Sequence, residues 1–182
     1  DPIFTFAYMG VNGGMVFVSA DDPGMHSSQN EQDNRNYAKF MKVPMLEPSD
    51  SQEAKDLFRD AFDISEKFDT PVMFRMSTRV CHSKSLVELG ERKEFHAIPY
   101  VKNRMKNDAV PAISRQLRLK MLDRDRRLQV FSNDCPYNFA EYNGSKKIGI
   151  VSSGVSYQYA KEVFGDTASY LKLGMTNPLP LD

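Results

Sequence analysis

Three short apolar runs that do not alternate with polar residues constrain this chain most: Met15-Val16-Phe17-Val18, Val43-Pro44-Met45-Leu46 and Pro71-Val72-Met73-Phe74. A strand with one wet face alternates with period two. Continuous runs suit strands buried on both faces, as in a parallel sheet covered by helices. Between the second and third runs, Ala54, Leu57, Phe58, Ala61, Ile64, Ser65 and Phe68 recur at three-to-four spacing and predict a helix over 51–68. Asp50 follows Pro48, and Glu53 stands three residues later, the pattern of a capping box. Strand, helix, strand of this length is a βαβ unit with a right-handed crossover. Residues 1–83 are therefore expected to be α/β. Asp1 and Pro2 are good first-turn residues of a short helix already under way.

The next stretch, 84–144, has little strand signal. Residues 102–127 carry nine basic and three acidic groups, a net +6. Asn107 or Asp108 caps a helix there that tolerates Pro111 in its first turn, with Leu117, Met121, Leu122 and Leu128 as a modest apolar stripe. It is expected to be a solvated linker helix lying on a neighbouring surface. No aromatic residues interleave its charges as single-strand stacking would want. A third segment opens at Lys146: strand Ile148–Val151, turn Ser152-Ser153-Gly154, helix Ser156–Phe164 closed by Gly165, and strand Tyr170–Leu173. It reads as the opening βαβ of a second α/β unit, from about 145 to 182, with the chain stopping just past a strand-like run.

Lys plus Arg equals Asp plus Glu at 24 each, so no overall charge draws the chain to nucleic acid or to a membrane surface. No apolar stretch reaches the roughly 18 residues of a spanning helix, and no signal peptide opens the chain. Cys81 and Cys135 stand far apart; two thiols make no disulfide framework and cannot fill a four-cysteine cluster or zinc site. Free thiols beside ten methionines suit a reducing cytoplasm.

The unusual stretch is Ala20-Asp21-Asp22-Pro23-Gly24-Met25-His26-Ser27-Ser28-Gln29-Asn30-Glu31-Gln32-Asp33-Asn34-Arg35. It follows directly on a buried strand and is almost wholly polar, then passes into a short helix through Tyr37, Ala38, Phe40 and Met41. Ligands of open α/β sheets sit at the carboxyl ends of strands, and a long polar loop there is a binding or subunit-contact candidate. A plain structural turn at Asp22-Pro23-Gly24 is the competing interpretation. Asp21, Asp22, His26 and Asp33 lack a recognised ligand spacing, so no metal is assigned to them.

This polar segment resembles the alpha subunit of indolepyruvate:ferredoxin oxidoreductase, a thiamine-diphosphate-dependent 2-oxoacid:ferredoxin oxidoreductase family. Gly13-Gly14-Met15-Val16, Pro44 to Ala54, Thr70-Pro71-Val72, Arg75 to Lys84, Ile148 to Tyr157 and Leu173-Gly174-Met175 are similar to it as well; the likeness is weakest at 90–140. The resemblance implies an internal piece of that subunit. Residues 1–83 would be the C-terminal half of a parallel-sheet, thiamine-pyrimidine-binding domain. Residues 84–144 would be a linker with a basic helix, and 145–182 the start of a transketolase-C-terminal-like domain. The glutamate that activates the aminopyrimidine would lie before Asp1. The Gly-Asp-Gly motif for Mg2+ and diphosphate, and the cysteines for [4Fe-4S] clusters, would lie after Asp182. The piece alone would then be inactive.

The reaction so implied is oxidative decarboxylation of an aryl 2-oxoacid with coenzyme A, giving acyl-CoA, carbon dioxide and reduced ferredoxin. The implied partners are a beta subunit and ferredoxin in an oligomer, with no nucleic acid and no membrane. A 2-oxoacid is an anion, so an arginine is a natural clamp for its carboxylate. The substrate-binding candidates are Arg35 and Arg79, with His26 and His82 as donors. Asp33 is expected to orient Arg35. Two alternatives stand beside this one: a pyruvate- or 2-oxoglutarate-type ferredoxin oxidoreductase subunit, and a non-catalytic α/β module for subunit interaction.

Overall fold

The computed structural model describes residues 2–92, 94–143 and 147–181. The first-turn role of Asp1 and the opening of the third segment at Lys146 lie outside them. Two sheets form. The first contains β1 (Val16–Asp21), β2 (Met45–Leu46), β3 (Val72–Ser77) and, from the far end of the chain, β7 (Met175–Asn177), in the order β1-β3-β2-β7. β1 and β2 both pair parallel with β3, and β7 pairs antiparallel with β2.

The three apolar runs thus become neighbouring strands, but they are not equally covered. β3 is central and its first four residues are buried. β1 takes the edge, and its Val18 is 55% exposed. The helix between β2 and β3, α3 (Ser51–Phe68), has the expected bounds. Leu57, Ala61, Ile64 and Phe68 are buried against Leu46, Val72 and Phe74. Burying each large side chain of that stripe contributes about 1.5–3 kcal/mol. The capping box forms with a shift of one residue. Asp50 accepts from the Glu53 N–H at 2.9 Å, while Glu53 accepts from the N–H of Ser49 at 2.8 Å. On the other face, α1 (Pro2–Met9) and α2 (Arg35–Met41) close a second cluster of Ala7, Ala38, Met41, Val43, Met45 and Met73.

The basic stretch forms α6 (Pro111–Asp134), after the short helices α4 (Thr78–His82) and α5 (Arg104–Asn107). α6 lies against α1 and α3 and is more than a solvated strut. Leu117, Met121 and Leu128 are buried, and so is Arg124, whose Nη1 donates to the Ala7 carbonyl at 2.8 Å.

The second sheet has the order β4-β6-β5. β5 (Gly149–Ser153), α7 (Gly154–Phe164) and β6 (Ser169–Leu173) give the expected βαβ with parallel strands. Two details differ from the sequence expectation. Ser152 and Ser153 belong to the strand, so the helix begins at Gly154. An additional strand, β4 (Asn138–Glu141), pairs antiparallel with β6. Asn, Ala and Glu are poor strand formers, so only the pairing makes this segment extended. After β6 the chain returns to the first sheet through β7, and Met175 enters its core. None of the described helices is long and apolar enough to cross a membrane.

Candidate functional site

The carboxyl ends of β1, β2 and β3 converge, and each releases a polar element. β1 gives the loop 22–34, β2 gives Glu47, and β3 gives α4. Asp22 organises the loop. Its carboxylate accepts the backbone N–H groups of His26 (3.0 Å), Ser27 (2.8 Å) and Ser28 (3.0 Å), and the Thr78 hydroxyl of α4 at 2.9 Å. These donors, led by Ser27 and His26, hold the carboxyl well below the usual carboxylate range. Met25 turns through the left-handed region at φ 51° to wrap the backbone around it. The far end of the loop is tied back to β1. The Asn34 N–H donates to Asp21 Oδ2 at 3.1 Å, and Asn34 Nδ2 donates to Ser19 Oγ at 2.7 Å. The loop is therefore a built structure that owes its shape to two adjacent aspartates.

Beneath it lies a cluster that sequence reasoning missed. Arg75, on β3 and 3% exposed, donates from Nε to Asp21 Oδ2 at 2.5 Å and from Nη1 to Glu47 Oε1. Asp21 and Glu47 are 2% and 6% exposed. One guanidinium thus joins the carboxyl ends of all three parallel strands. Asp21 Oδ1 and Glu47 Oε2 are buried without a hydrogen-bond partner. Burial pushes the Glu47 carboxyl up, against the opposing pull of Arg75 and Arg35. The signal in the sequence was an arginine interrupting an apolar strand, since a charge in a buried run is rarely left unpaired.

The four side chains expected from the sequence lie on the segments that leave β1 and β3. Arg35, the first residue of α2, is held by Asp33 in a two-pronged pair, Nε and Nη2 each at 2.7 Å from a carboxylate oxygen. The Arg35 side chain is half exposed, and Arg35 holds the Asp33 carboxyl down at about 2. Among the expected residues, His26 is exposed on the loop, close over Gly24, while Arg79 and His82 are exposed on α4. Arg35 also lines a cleft of about 470 Å³ with Lys39, Lys42, Ser153, Leu173 and Thr176. Its walls come from both sheets. Three cations and Asp125 line it, Lys42 pairing with Asp125 at 3.0 Å, and the buried Thr176 Oγ1 has no partner. An anion with an apolar body fits this lining chemically.

The second sheet closes directly onto the cluster. Gly154, at φ +53°, starts α7 against Glu47, and a Cβ there would stand 2.7 Å from Glu47 Oε1. Beside it, Gln158 donates to Ser49 Oγ at 3.2 Å and to Asp50 Oδ2 at 3.0 Å.

No protein-family model matches the sequence. The sequence is 42% identical to the indolepyruvate oxidoreductase subunit IorA of Archaeoglobus fulgidus, over 99% of this chain and 30% of that protein. It is 41% identical to the same subunit of Pyrococcus abyssi, over 99% of this chain and 29% of that protein. The chain therefore spans about 30% of the length of the curated relatives it matches. Among solved structures, a 2-oxoglutarate:ferredoxin oxidoreductase from Magnetococcus marinus, with 2-oxoglutarate, coenzyme A and succinyl-CoA bound, superposes with a TM-score of 0.61. It covers 99% of this chain and 40% of that one at 11% identity, a likeness of fold alone. The chain thus shares a fold with a 2-oxoacid:ferredoxin oxidoreductase, and along almost all of its length it is 40–42% identical to about 30% of the indolepyruvate oxidoreductase subunit IorA.

Proposed function

We propose that this chain supplies the substrate-facing edge of a thiamine-diphosphate-dependent oxidoreductase that decarboxylates aryl 2-oxoacids, indolepyruvate above all, to acyl-CoA with ferredoxin as electron acceptor. The observation that carries it is the loop 22–34. Asp22 builds it, and it ends on an arginine that Asp33 orients beside a cationic cleft. An oxoacid carboxylate would bind Arg35, Lys39 would add positive field, and Leu173 would offer apolar surface to the aryl group. His26, Arg79 and His82 remain candidates for secondary donors at the same edge. The identity to IorA subunits favours an aryl substrate over pyruvate or 2-oxoglutarate.

Thiamine diphosphate, when bound, supplies the carbanion chemistry. Among the described residues no three His, Cys, Asp or Glu side chains gather as a metal site, so no step through Mg2+ or a [4Fe-4S] cluster is assigned to them. This chain's residues bind and orient. In this scheme residues 1–83 are half of the pyrimidine-binding domain, 84–144 the connection and 145–182 the start of the next domain. A beta subunit, ferredoxin and coenzyme A are the partners, in an oligomer in the cytoplasm.

The test is turnover of the full-length subunit with its partner chain, using indolepyruvate, phenylpyruvate and pyruvate with coenzyme A and ferredoxin. Ferredoxin reduction should be fastest with the aryl substrates. Equal or faster turnover of pyruvate would move the assignment to the pyruvate type. No turnover of any oxoacid would leave the interaction-module alternative.

A further inference from the structure

We propose that Glu47 is the proton-holding residue of this edge, a neutral carboxylic acid wedged between Arg75 and α7, whose ionisation sets how tightly an anionic ligand is held beside Arg35. The second half rests on the oxoacid-binding role proposed above; the first half does not.

Three carboxyl groups, Asp21, Asp33 and Glu47, stand with two guanidiniums, Arg75 and Arg35. Asp22 is satisfied separately by backbone N–H groups and Thr78. Fully ionised, the set carries one net negative charge, and so does its buried inner part, Asp21, Glu47 and Arg75, taken alone. One proton makes it neutral, and a buried group sheds its charge before it stays unpaired.

Partner counting says which carboxyl takes the proton. Asp33 has both prongs of Arg35 and solvent. Asp21 Oδ2 takes two donors, Arg75 Nε and the Asn34 N–H, although its Oδ1 has none. Glu47 takes Arg75 Nη1, while its Oε2 is buried with no partner. A lone buried hydroxyl costs far less than half of an unsolvated carboxylate. The charged groups facing Glu47 are Arg75 from β3, Asp21 from β1 and Arg35 from α2. From α7 it meets Gly154, which brings no charge. Burial is the largest influence and raises the Glu47 carboxyl; the two arginines pull it down by less.

With Glu47 neutral, an incoming carboxylate meets Arg35 in a set of zero net charge. With Glu47 ionised, it meets a net negative one. Proton and anion binding are then coupled, and the coupling is reciprocal.

The experiment uses the full-length protein and Glu47→Gln, which keeps the side chain's shape and fixes it neutral. Without substrate, thermal melting is followed from pH 5 to 8.5 (about the range the fold should tolerate). A raised value in the folded state means that Glu47's contribution is whole below the ordinary value of 4.5 and is lost as pH climbs through the folded one. Wild type should therefore lose stability relative to Glu47→Gln as pH climbs from 5, until the folded value is passed. Parallel curves overturn the proton assignment. With substrate, the KM for indolepyruvate should rise with pH about tenfold more in wild type than in Glu47→Gln, with the kcat ratio flat. Equal KM profiles overturn the control of anion binding. If no oxoacid is turned over, the melting curves still decide where the proton sits, so the two failures are distinguishable. Should Glu47→Gln fold poorly, Glu47→Ala removes the same titration and gives the same comparison.

Discussion

Lys172 Nζ lies 2.5 Å from Oε1 and 2.6 Å from Oε2 of Glu53, joining the central strand of the second sheet to the first turn of α3 under the first. Lys172 is 1% exposed and Glu53 about a quarter. Glu53 also takes the N–H and hydroxyl of Ser49, so a capping residue doubles as the anchor for another sheet. Together with Gln158 on Ser49 and Asp50, and β7 beside β2, this fastens the two sheets into one body.

Lys172→Ala should therefore destabilise the whole chain. Breaking a buried pair on one side costs about 3–5 kcal/mol, and partial exposure of Glu53 lowers that to about 2–3 kcal/mol. Lys172→Met, which keeps the volume, should lose less. Denaturation followed by hydrogen exchange would show amides of α3 and β6 losing protection together. Loss confined to β6 would mean that the sheets unfold independently.

Asp22→Ala should loosen the loop without unfolding the sheet. The amides of His26, Ser27 and Ser28 lose their acceptor, so their exchange protection should vanish while that of β3 persists. In the wild type the carboxyl stays ionised below the ordinary 3.8, so its hydrogen bonds persist past that value, while its contribution to global stability is whole above 3.8, declines below it and is gone once the lower, folded value is passed. Exchange measured at pH 4 should still show the three amides protected. Equal protection in the variant would assign the loop's shape to something else.

The strands and α3 were legible because their signal is local: an uninterrupted apolar run, or a stripe with period 3.6 between a cap and a stop. Arg35 with its orienting Asp33 was legible too, since two residues of separation suffices to bring them together. Asp21 stands on β1, Arg75 on β3 and Glu47 just after β2, and nothing local says that they meet. β4 and β7 were invisible for the same reason, because each is extended only through partners about 30 and 130 residues away in sequence.

Arg35→Ala separates binding from folding. Its pair with Asp33 is half exposed, and such pairs contribute about 0–1 kcal/mol to stability. The melting temperature should hardly move. If Arg35 receives the oxoacid carboxylate, the full-length variant should lose about 2–4 kcal/mol of transition-state stabilisation, read in kcat/KM for the oxoacid. Cofactor affinity should be little changed. A variant that loses stability and keeps kcat/KM would make Arg35 a structural residue.

The two cysteines should react at different rates in the 182-residue chain. Both thiols are free, with Cys81 exposed on α4 and Cys135 buried beside the core. Burial raises both thiols above their ordinary value, so neither is an activated nucleophile. Labelling of the native chain should modify Cys81 slowly and leave Cys135 until the chain is denatured. Rapid modification of both would mean that α6 and β4 open readily around Cys135.

Gly154→Ala tests the contact between the sheets at the cluster itself. The backbone there is left-handed, at φ +53°, which costs a residue with a Cβ about 1–2 kcal/mol. The new methyl would also stand 2.7 Å from Glu47 Oε1, inside contact distance, and would drive that carboxyl off Arg75. The two costs separate in a double-mutant cycle with Glu47→Ala. The backbone cost is independent of residue 47 and remains in the double variant. The steric cost disappears, because the space that Glu47 occupied is free. Gly154→Ala should then destabilise the wild type more than it destabilises the Glu47→Ala background, with a coupling of about 0.5–3 kcal/mol between the sites. Strict additivity would mean that α7 does not rest on Glu47, and it would remove the second sheet from the surroundings that keep that carboxyl dry.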